Sequence, residues 1–280
     1  MSKKVAIQGY RGCFHEEAAR SFYKSLGKEP PEMVECDTFE DIYAAMDSGK
    51  ADAAVMAIEN TLSGGLVRNF ELLRLHGKKI SGEVYLRIEQ NLLALPGQSL
   101  EDIREVRTHY MAINQTREFF ATECPWIKVS ESEDTAKSAA EVAREGLMGV
   151  GAVASALAAE LYGLDILRSG IETYKENFTR FVILDDSLLA NRGESTLDKA
   201  SICFTLPHKV GSLSHILTIL SFYDMNLTRI QSLPIPGRQW QYFFYVDIKY
   251  EDYNRYRQAI SAVKPLVEDL DILGEYKAAL

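Results

Sequence analysis

Over the first two thirds of the chain, short apolar runs alternate with stretches of helical periodicity. Residues 5–8 read as a short strand. After the turn Gly9-Tyr10-Arg11-Gly12, the apolar positions Ala18, Ala19, Phe22, Tyr23 and Leu26 recur at helical spacing until Gly27. Thr38-Phe39-Glu40-Asp41 has the form of a capping box, opening a helix that Gly49 closes. Residues 53–58 are continuously apolar, as in a strand buried on both faces, and 65–76 read as a helix closed by Gly77. Strands near 105–108, 126–129 and 147–150 then alternate with helices near 112–123 and 135–145, and an Ala-rich helix runs on to Tyr162. This alternation predicts buried parallel sheet built from right-handed crossovers. The segment 83–95 is longer and extended, enough to carry the chain from one sheet to a second and give two α/β lobes around a cleft.

The rhythm breaks at 185–199, where Asn191-Arg192-Gly193-Glu194-Ser195 is polar and without period, and a linker is expected there. Beyond it the order is strand 200–206, helix 211–223, strand 227–233, a turn at Pro236-Gly237-Arg238-Gln239, strand 242–248, helix 253–266 and strand 270–276. Strand-helix-strand-strand-helix-strand is the ferredoxin-like pattern. Exposed edges of such small sheets tend to pair, so dimerisation through this region is expected.

Composition narrows the function. The 280 residues are 46% hydrophobic and 25% charged, ordinary for a globular chain, with 31 Lys and Arg against 40 Asp and Glu for a net charge of −9. Nucleic-acid binding needs a surplus of cations, so it is not expected as the main function. No run approaches the roughly 20 apolar residues of a membrane span. Met1-Ser2-Lys3-Lys4 leads straight into a strand, without the apolar core of a signal peptide. Cys13, Cys36, Cys124 and Cys203 are widely spaced with no Cys-x-x-Cys, which suggests neither zinc nor disulfides. A soluble, cytoplasmic, metal-free protein is expected.

Gly149-Val150-Gly151-Ala152-Val153-Ala154 fits the G-x-G-x-x-A dinucleotide spacing, which would make the chain a nicotinamide oxidoreductase, but its preceding strand is short and Glu172 lies outside any clear strand end. A closely packed Ala-rich helix accounts for it more simply. Gly9–Gly12 lacks the Gly-Lys-Ser/Thr ending of a P-loop. Glu59-Asn60-Thr61-Leu62-Ser63-Gly64-Gly65 follows the apolar strand and opens a helix. Free backbone amides and short polar side chains there suit a carboxylate-bearing ligand, or else serve only to cap the helix. In Asn177-Phe178-Thr179-Arg180-Phe181, a hydroxyl beside a guanidinium offers one donor and one anion clamp, although such pairs are more often structural. His109, just past a strand end, is a candidate ligand contact or a helix cap. The remaining histidines have no ligand-like spacing, and no G-x-S-x-G elbow is present. Gly211-Ser212-Leu213 opens a helix directly after a strand, where amides can hold a carboxylate.

Taken in order, these segments resemble the prephenate dehydratase family, which includes arogenate dehydratases. Gly9-x-x-Gly12-x-Phe14 with Glu17-Ala18-Ala19 is similar to its opening loop, and Ile58-Glu59-Asn60-Thr61 with Gly64 and Gly65 to its Glu-Asn-Ser/Thr loop. Arg68-Asn69-Phe70-Glu71-Leu72-Leu73 resembles the plant form. His109 with Gln115, Asp134-Thr135-Ala136, Ala152 with Ser155, Ala158-Ala159-Glu160-Leu161-Tyr162-Gly163-Leu164 and Thr179-Arg180-Phe181 match further blocks. The tail resembles an ACT domain, the family's phenylalanine-sensing module. Departures are Tyr10 where Pro is frequent, Cys13 for Thr, His15 for Ser, Tyr110-Met111 for Pro-Gln, and Gln231-Ser232-Leu233-Pro234 for Glu-Ser-Arg-Pro.

The resemblance implies an α/β two-lobed catalytic domain of the type II periplasmic-binding-protein kind over 1–188, followed by an α+β ferredoxin-like ACT domain over 198–280. It implies conversion of prephenate to phenylpyruvate in phenylalanine biosynthesis, with arogenate as the alternative substrate, and needs no cofactor. Thr179 would serve the leaving hydroxyl, with Asn60 as second catalytic residue. Thr61, Ser63, Gly64, Gly65, Ala152, Ser155, Arg180, Phe181 and His109 would line the substrate. Gly211, Ser212, Leu213, Asn226, Gln231 and Ser232 would hold L-phenylalanine as effector, in dimers formed through the ACT domains and assembled into a tetramer. A non-catalytic amino-acid sensor is the alternative from a different class, since a two-lobed cleft with an ACT-like domain is also a binding architecture.

Overall fold

The apolar run at 53–58 is buried at every position, as a strand with both faces covered must be. The computed structural model describes residues 2–190 and 193–279. Its opening elements are β1 (Lys4–Gln8), α1 (Phe14–Ser25), β2 (Glu32–Cys36), α2 (Phe39–Asp47), β3 (Ala53–Asn60), the two-residue β4 (Gly64–Gly65), α3 (Val67–His76) and β5 (Ile80–Arg87). There follow β6 (Asn91–Ala94), β7 (Glu105–His109), α4 (Tyr110–Thr122), β8 (Lys128–Ser132), α5 (Thr135–Glu145), β9 (Val150–Ala154), α6 (Ala156–Tyr162) and β10 (Asp165–Arg168). The last third holds β11 (Phe178–Leu184), α7 (Asp186–Ala190), β12 (Lys199–Thr205), α8 (Ser212–Phe222), β13 (Asn226–Pro234), β14 (Tyr242–Lys249), α9 (Tyr253–Val263) and β15 (Glu268–Tyr276).

Three sheets form. The first has the order β2-β1-β3-β11-β5 with β4 on β3, the second β10-β6-β9-β7-β8, and the third β13-β14-β12-β15. As expected, the extended segment passes from the first sheet to the second, as β5 and β6 joined through residues 88–90. The second sheet is not wholly parallel, however. β7 runs parallel to β8 and β9, whereas β6 lies antiparallel to both β9 and β10. β6 enters directly from the other sheet rather than through a crossover helix, so nothing constrains it to run parallel. β10 therefore runs in the direction of β9, as a crossover through α6 requires.

By contacts, the chain divides into two compact units, Met1–Gly64 with Tyr85–Phe181, and Gly65–Val84 with Val182–Leu280. In the first, Leu92, Ile103, Val106, Phe120 and Val153 belong to the apolar core of the second sheet. In the second unit, Ile202, Phe204, Ile216, Leu220, Val246, Ile248 and Tyr256 pack between the third sheet and its two helices. Lys199 donates to both carboxylate oxygens of Glu83 at 2.9 Å, with both side chains nearly fully enclosed.

Some boundaries differ from the sequence reading. The expected strand at 147–150 is β9, and the whole Gly149–Ala154 stretch leads into and forms it. A Cβ at Gly151 would lie 2.9 Å from the Leu93 carbonyl, so this glycine serves sheet packing. The first half of the expected linker holds α7, because Asp185 accepts from the Ser187 N–H and hydroxyl and starts a helical turn. Asn191 and Arg192 of that stretch, and Met1 of the opening, lie outside the described residues. Among the described residues, no helix is long and apolar enough to cross a membrane, and no group of three or more His, Cys, Asp or Glu is placed to hold a metal ion.

Candidate active site

The C-terminal ends of β1, β3, β7, β8 and β9 carry the loops from which the first unit builds a polar site, the usual ligand position of open α/β sheets. Three helix starts contribute. His109 caps α4, its Nδ1 accepting from the Met111 N–H at 3.3 Å; Asp134 caps α5, accepting from the Lys137 N–H at 2.8 Å; Ser155 caps α6, accepting from the Ala158 N–H at 3.0 Å. The loop after β1 meets them. A Cβ on Gly9 would fall 3.2 Å from Asp134 Oδ2 and 3.4 Å from Cys13 Sγ, and the Ser155 hydroxyl donates to the Gly12 carbonyl at 2.5 Å.

That loop is not a phosphate cradle. Its amides are taken by the protein's own carboxylates: Arg11 N–H donates to Glu35 and Gly12 N–H to the buried Glu16, each at 2.7 Å. Glu16 also accepts two bonds from Arg20. Burial pushes the Cys13 thiol well up, with the Asp134 charge adding to it. Asp134 is itself held above the usual carboxylate range by burial, against the pull of its two backbone donors. Burial lowers His109, against Asp134 and Glu131. A neutral His109 that accepts at Nδ1 carries its proton on Nε2, which leaves that nitrogen a donor.

Asn60, at the end of β3, organises the centre. Its Oδ1 accepts from the N–H groups of Leu62 at 2.9 Å and Ser63 at 3.0 Å. Its Nδ2 donates to Asn177 Oδ1 at 2.7 Å and to Thr179 Oγ1 at 2.9 Å, with the Phe178 carbonyl at 3.3 Å. Thr61 fastens the two segments. Its N–H donates to the Phe178 carbonyl at 2.9 Å, while its hydroxyl donates to the Glu176 carbonyl and accepts from the Phe178 N–H. Thr179 thus receives a hydrogen bond from Asn60, and no group among the described residues accepts its hydroxyl proton.

Residues 5–187 match the family model described as prephenate dehydratase. The chain belongs to the prephenate dehydratase family. It is 33% identical over 278 residues to the bifunctional chorismate mutase/prephenate dehydratase of Aquifex aeolicus (strain VF5), covering 99% of this chain and 74% of that protein. It is 34% identical to arogenate dehydratase/prephenate dehydratase 2 of Arabidopsis thaliana, covering 98% and 72%. Among solved structures, prephenate dehydratase from Arthrobacter aurescens in complex with L-Phe superposes with a TM-score of 0.82 at 26% identity, covering 98% and 89%. GqqA, described as a novel type of quorum-quenching acylase, superposes with a TM-score of 0.84 at 31% identity, covering 99% and 98%.

Within this dehydratase fold, the expected site residues separate into groups. Asn60 bonds directly to Ser63 and Thr179, while Thr61 is tied to the same segment through Glu176 and Phe178. Gly64 has φ of +77° and open space where a Cβ would project. Gly65 does not offer a ligand its backbone, because the Arg229 guanidinium fills the space of the missing Cβ. Nor does α3 open directly onto the loop, since β4 intervenes and the first helical residue is Val67. Arg180, expected as an anion clamp, does not share a strand face with Thr179. Neighbours in a strand face opposite sides, and Arg180 is 2% exposed and partnered inside the protein. Phe181, on the Thr179 face, packs edge-on against His15 at 5.0 Å. Ala152 is fully enclosed between β6 and β7 and offers no surface. Ser155 spends its hydroxyl on Gly12 and its helix.

In the second unit, Ser212 and Leu213 line a cavity of about 130 Å³ with Pro207, Lys209, Trp240 and Phe244. Gly211 holds φ of +83° at the start of α8. Gln231 and Ser232 sit on β13, paired with Tyr245 and Phe244. Asn226 is at the opposite end of that strand, against Lys249, away from this cavity within one chain. The sequence reading quoted Asn177 and Asp134 within its motifs without giving either a role, and it missed Glu16, for which the Glu16–Arg20 spacing of four was a local signal.

Proposed function

We propose that this chain converts prephenate to phenylpyruvate, carbon dioxide and water, the last step but one toward phenylalanine. As the ring carboxylate leaves as carbon dioxide, the pair of its C–C bond enters the ring. The C–O pair departs with the ring hydroxyl, which takes up one proton to become water, and aromatisation drives the step. The protein must donate to the departing hydroxyl and hold a dianion free of water. The observation that carries this reading is the Asn60–Thr179 bond: with Asn60 donating to it, Thr179 keeps its own proton for the leaving group. An alcohol is a weak acid, so its part is stabilisation of developing hydroxide more than full transfer. His109 Nε2–H and the open backbone at Gly64 are the remaining candidate substrate contacts, and Arg180 and Phe181 brace the strand that carries Thr179.

An acylase reading, suggested by the likeness to GqqA, would need an activated nucleophile. Cys13 is held as the thiol, the Ser155 hydroxyl is already spent, and no base among the described residues receives the Thr179 proton. The site therefore favours the lyase reading. Arogenate, with an amine where prephenate has a keto oxygen, fits the same chemistry.

The reading extends to regulation. Residues 1–188 form the catalytic domain and 198–280 an ACT domain that binds L-phenylalanine near Gly211, Ser212 and Leu213, with Gln231, Ser232 and Asn226 presented from β13. That strand is an edge of its sheet, suited to pairing with a second copy, and the enzyme works as a cytoplasmic homo-oligomer. The test is product formation from prephenate and from arogenate in parallel, with and without phenylalanine. Phenylpyruvate formation reduced by phenylalanine is expected; phenylalanine made from arogenate alone would move the substrate, and silence on both would overturn the enzyme reading.

A further inference from the structure

We infer, on the lyase reading above, that Asn177 is a positioning residue for the reaction: its amide oxygen holds the Asn60 amide in the orientation that leaves Thr179 a donor. Asn177 lies one residue before β11, is fully buried, and has its carbonyl bonded by the Ile88 N–H at 2.7 Å. An asparagine amide has nearly the same shape at its donor and acceptor ends, so its surroundings decide which way it points. At Asn60 the donor end meets Asn177 Oδ1 and Thr179 Oγ1. Of these two side chains, only the Asn177 oxygen is restricted to accepting. The Thr179 hydroxyl can serve either way, and would donate to Asn60 Oδ1 if that amide turned over. Its proton would then be spent inside the protein. The N–H groups of Leu62 and Ser63 favour the observed orientation too, but both residues are exposed in the loop, whereas Asn177 is enclosed.

A second observation points the same way. Asn177 Nδ2 is buried with no hydrogen-bond partner. A buried unpaired donor is costly, and such groups call for an explanation. The explanation here is that Asn177 presents its oxygen to Asn60 and accepts an unpaired donor as the consequence.

The test is a double-mutant cycle on full-length protein with prephenate, using Asn177→Leu, Thr179→Val and the pair, with Asn177→Ala as the smaller replacement should the leucine variant not fold. Wild-type turnover is the control for the lyase reading itself. Both Asn177 variants are expected to lose about 10²-fold in kcat, the size of losing one transition-state donor, with KM changed less than threefold. The double variant should be no slower than Thr179→Val alone, because both substitutions remove one interaction. A merely structural role would not give that non-additivity. Losses that multiply, or a raised KM with kcat retained (the mark of a direct substrate contact), would overturn the inference while leaving the lyase reading intact. No turnover by the wild type would overturn both.

Discussion

Replacing Thr179 by valine removes one hydroxyl and keeps the branched shape of the side chain. In the fold this is cheap. Asn60 Nδ2 still reaches Asn177 Oδ1 at 2.7 Å and the Phe178 carbonyl at 3.3 Å, so no buried donor is stranded and the loss is one hydrogen bond, about 1 kcal/mol. In the reaction it is expensive. If the hydroxyl stabilises the departing hydroxide, its loss should lower kcat by about 10²–10³-fold, equivalent to about 2.7–4 kcal/mol. Because that interaction strengthens only as the C–O bond breaks, KM should stay within about threefold. Thr179→Ser keeps the oxygen and should retain turnover within about tenfold. Initial rates of phenylpyruvate formation over a range of prephenate give kcat and KM separately, and urea unfolding reports the fold. A valine variant that turns over within tenfold of wild type, with its fold intact, would refute the role given to Thr179.

Three further outcomes follow from the packing and the buried charges. Lys199→Met should destabilise the protein by about 3–5 kcal/mol, since Glu83 is left as a buried charge without its cation; the double replacement with Glu83→Leu should be less harmful than Lys199→Met alone, which urea midpoints would check. His15 is pushed down to about 3 by burial and accepts from the Ala57 N–H at 3.2 Å. The unfolded chain therefore binds a proton below about pH 6.5 that the folded chain refuses, and stability falls as pH drops toward 3. That amounts to about 3 kcal/mol by pH 4, and His15→Gln should flatten the dependence; parallel curves would contradict it. Gly12→Ala should cost about 2–5 kcal/mol and lower kcat/KM, because φ is +87° and the new Cβ would sit 2.9 Å from the Ala158 Cα; thermal melting and initial rates would show an unaffected protein if the loop yields.

Local pattern carried much of the architecture. The unbroken apolar run at 53–58 could only be a covered strand, Thr38 and Asp41 form the capping box that their spacing announces, and 83–95 was long enough to leave one sheet and enter another. Edge strands were less legible. β2 mixes glutamates with half-buried apolar residues and β10 is mostly exposed, so what makes them strands is a neighbour's backbone more than their own side chains. The glycines at 149 and 151 matched a nucleotide motif because spacing alone does not say whether a glycine is needed for a ligand or for the next strand.

The candidate site divides in the same way. Sequence by itself named Asn60 and Thr179, because strand ends carrying short polar side chains mark ligand positions and the ordered series of motifs pointed to the family. It also placed Arg180 beside Thr179 in function, since adjacency in a chain looks like adjacency in space. Only the tertiary structure puts the two on one strand whose pleat turns consecutive side chains to opposite faces. Asn177 was on the page as a letter but not as a partner: its bond to Asn60 spans 117 positions. Composition and periodicity determine which segments are buried and in what form. Which amide meets which oxygen is determined when two distant strands pair in one register, and the direction of a single proton depends on that.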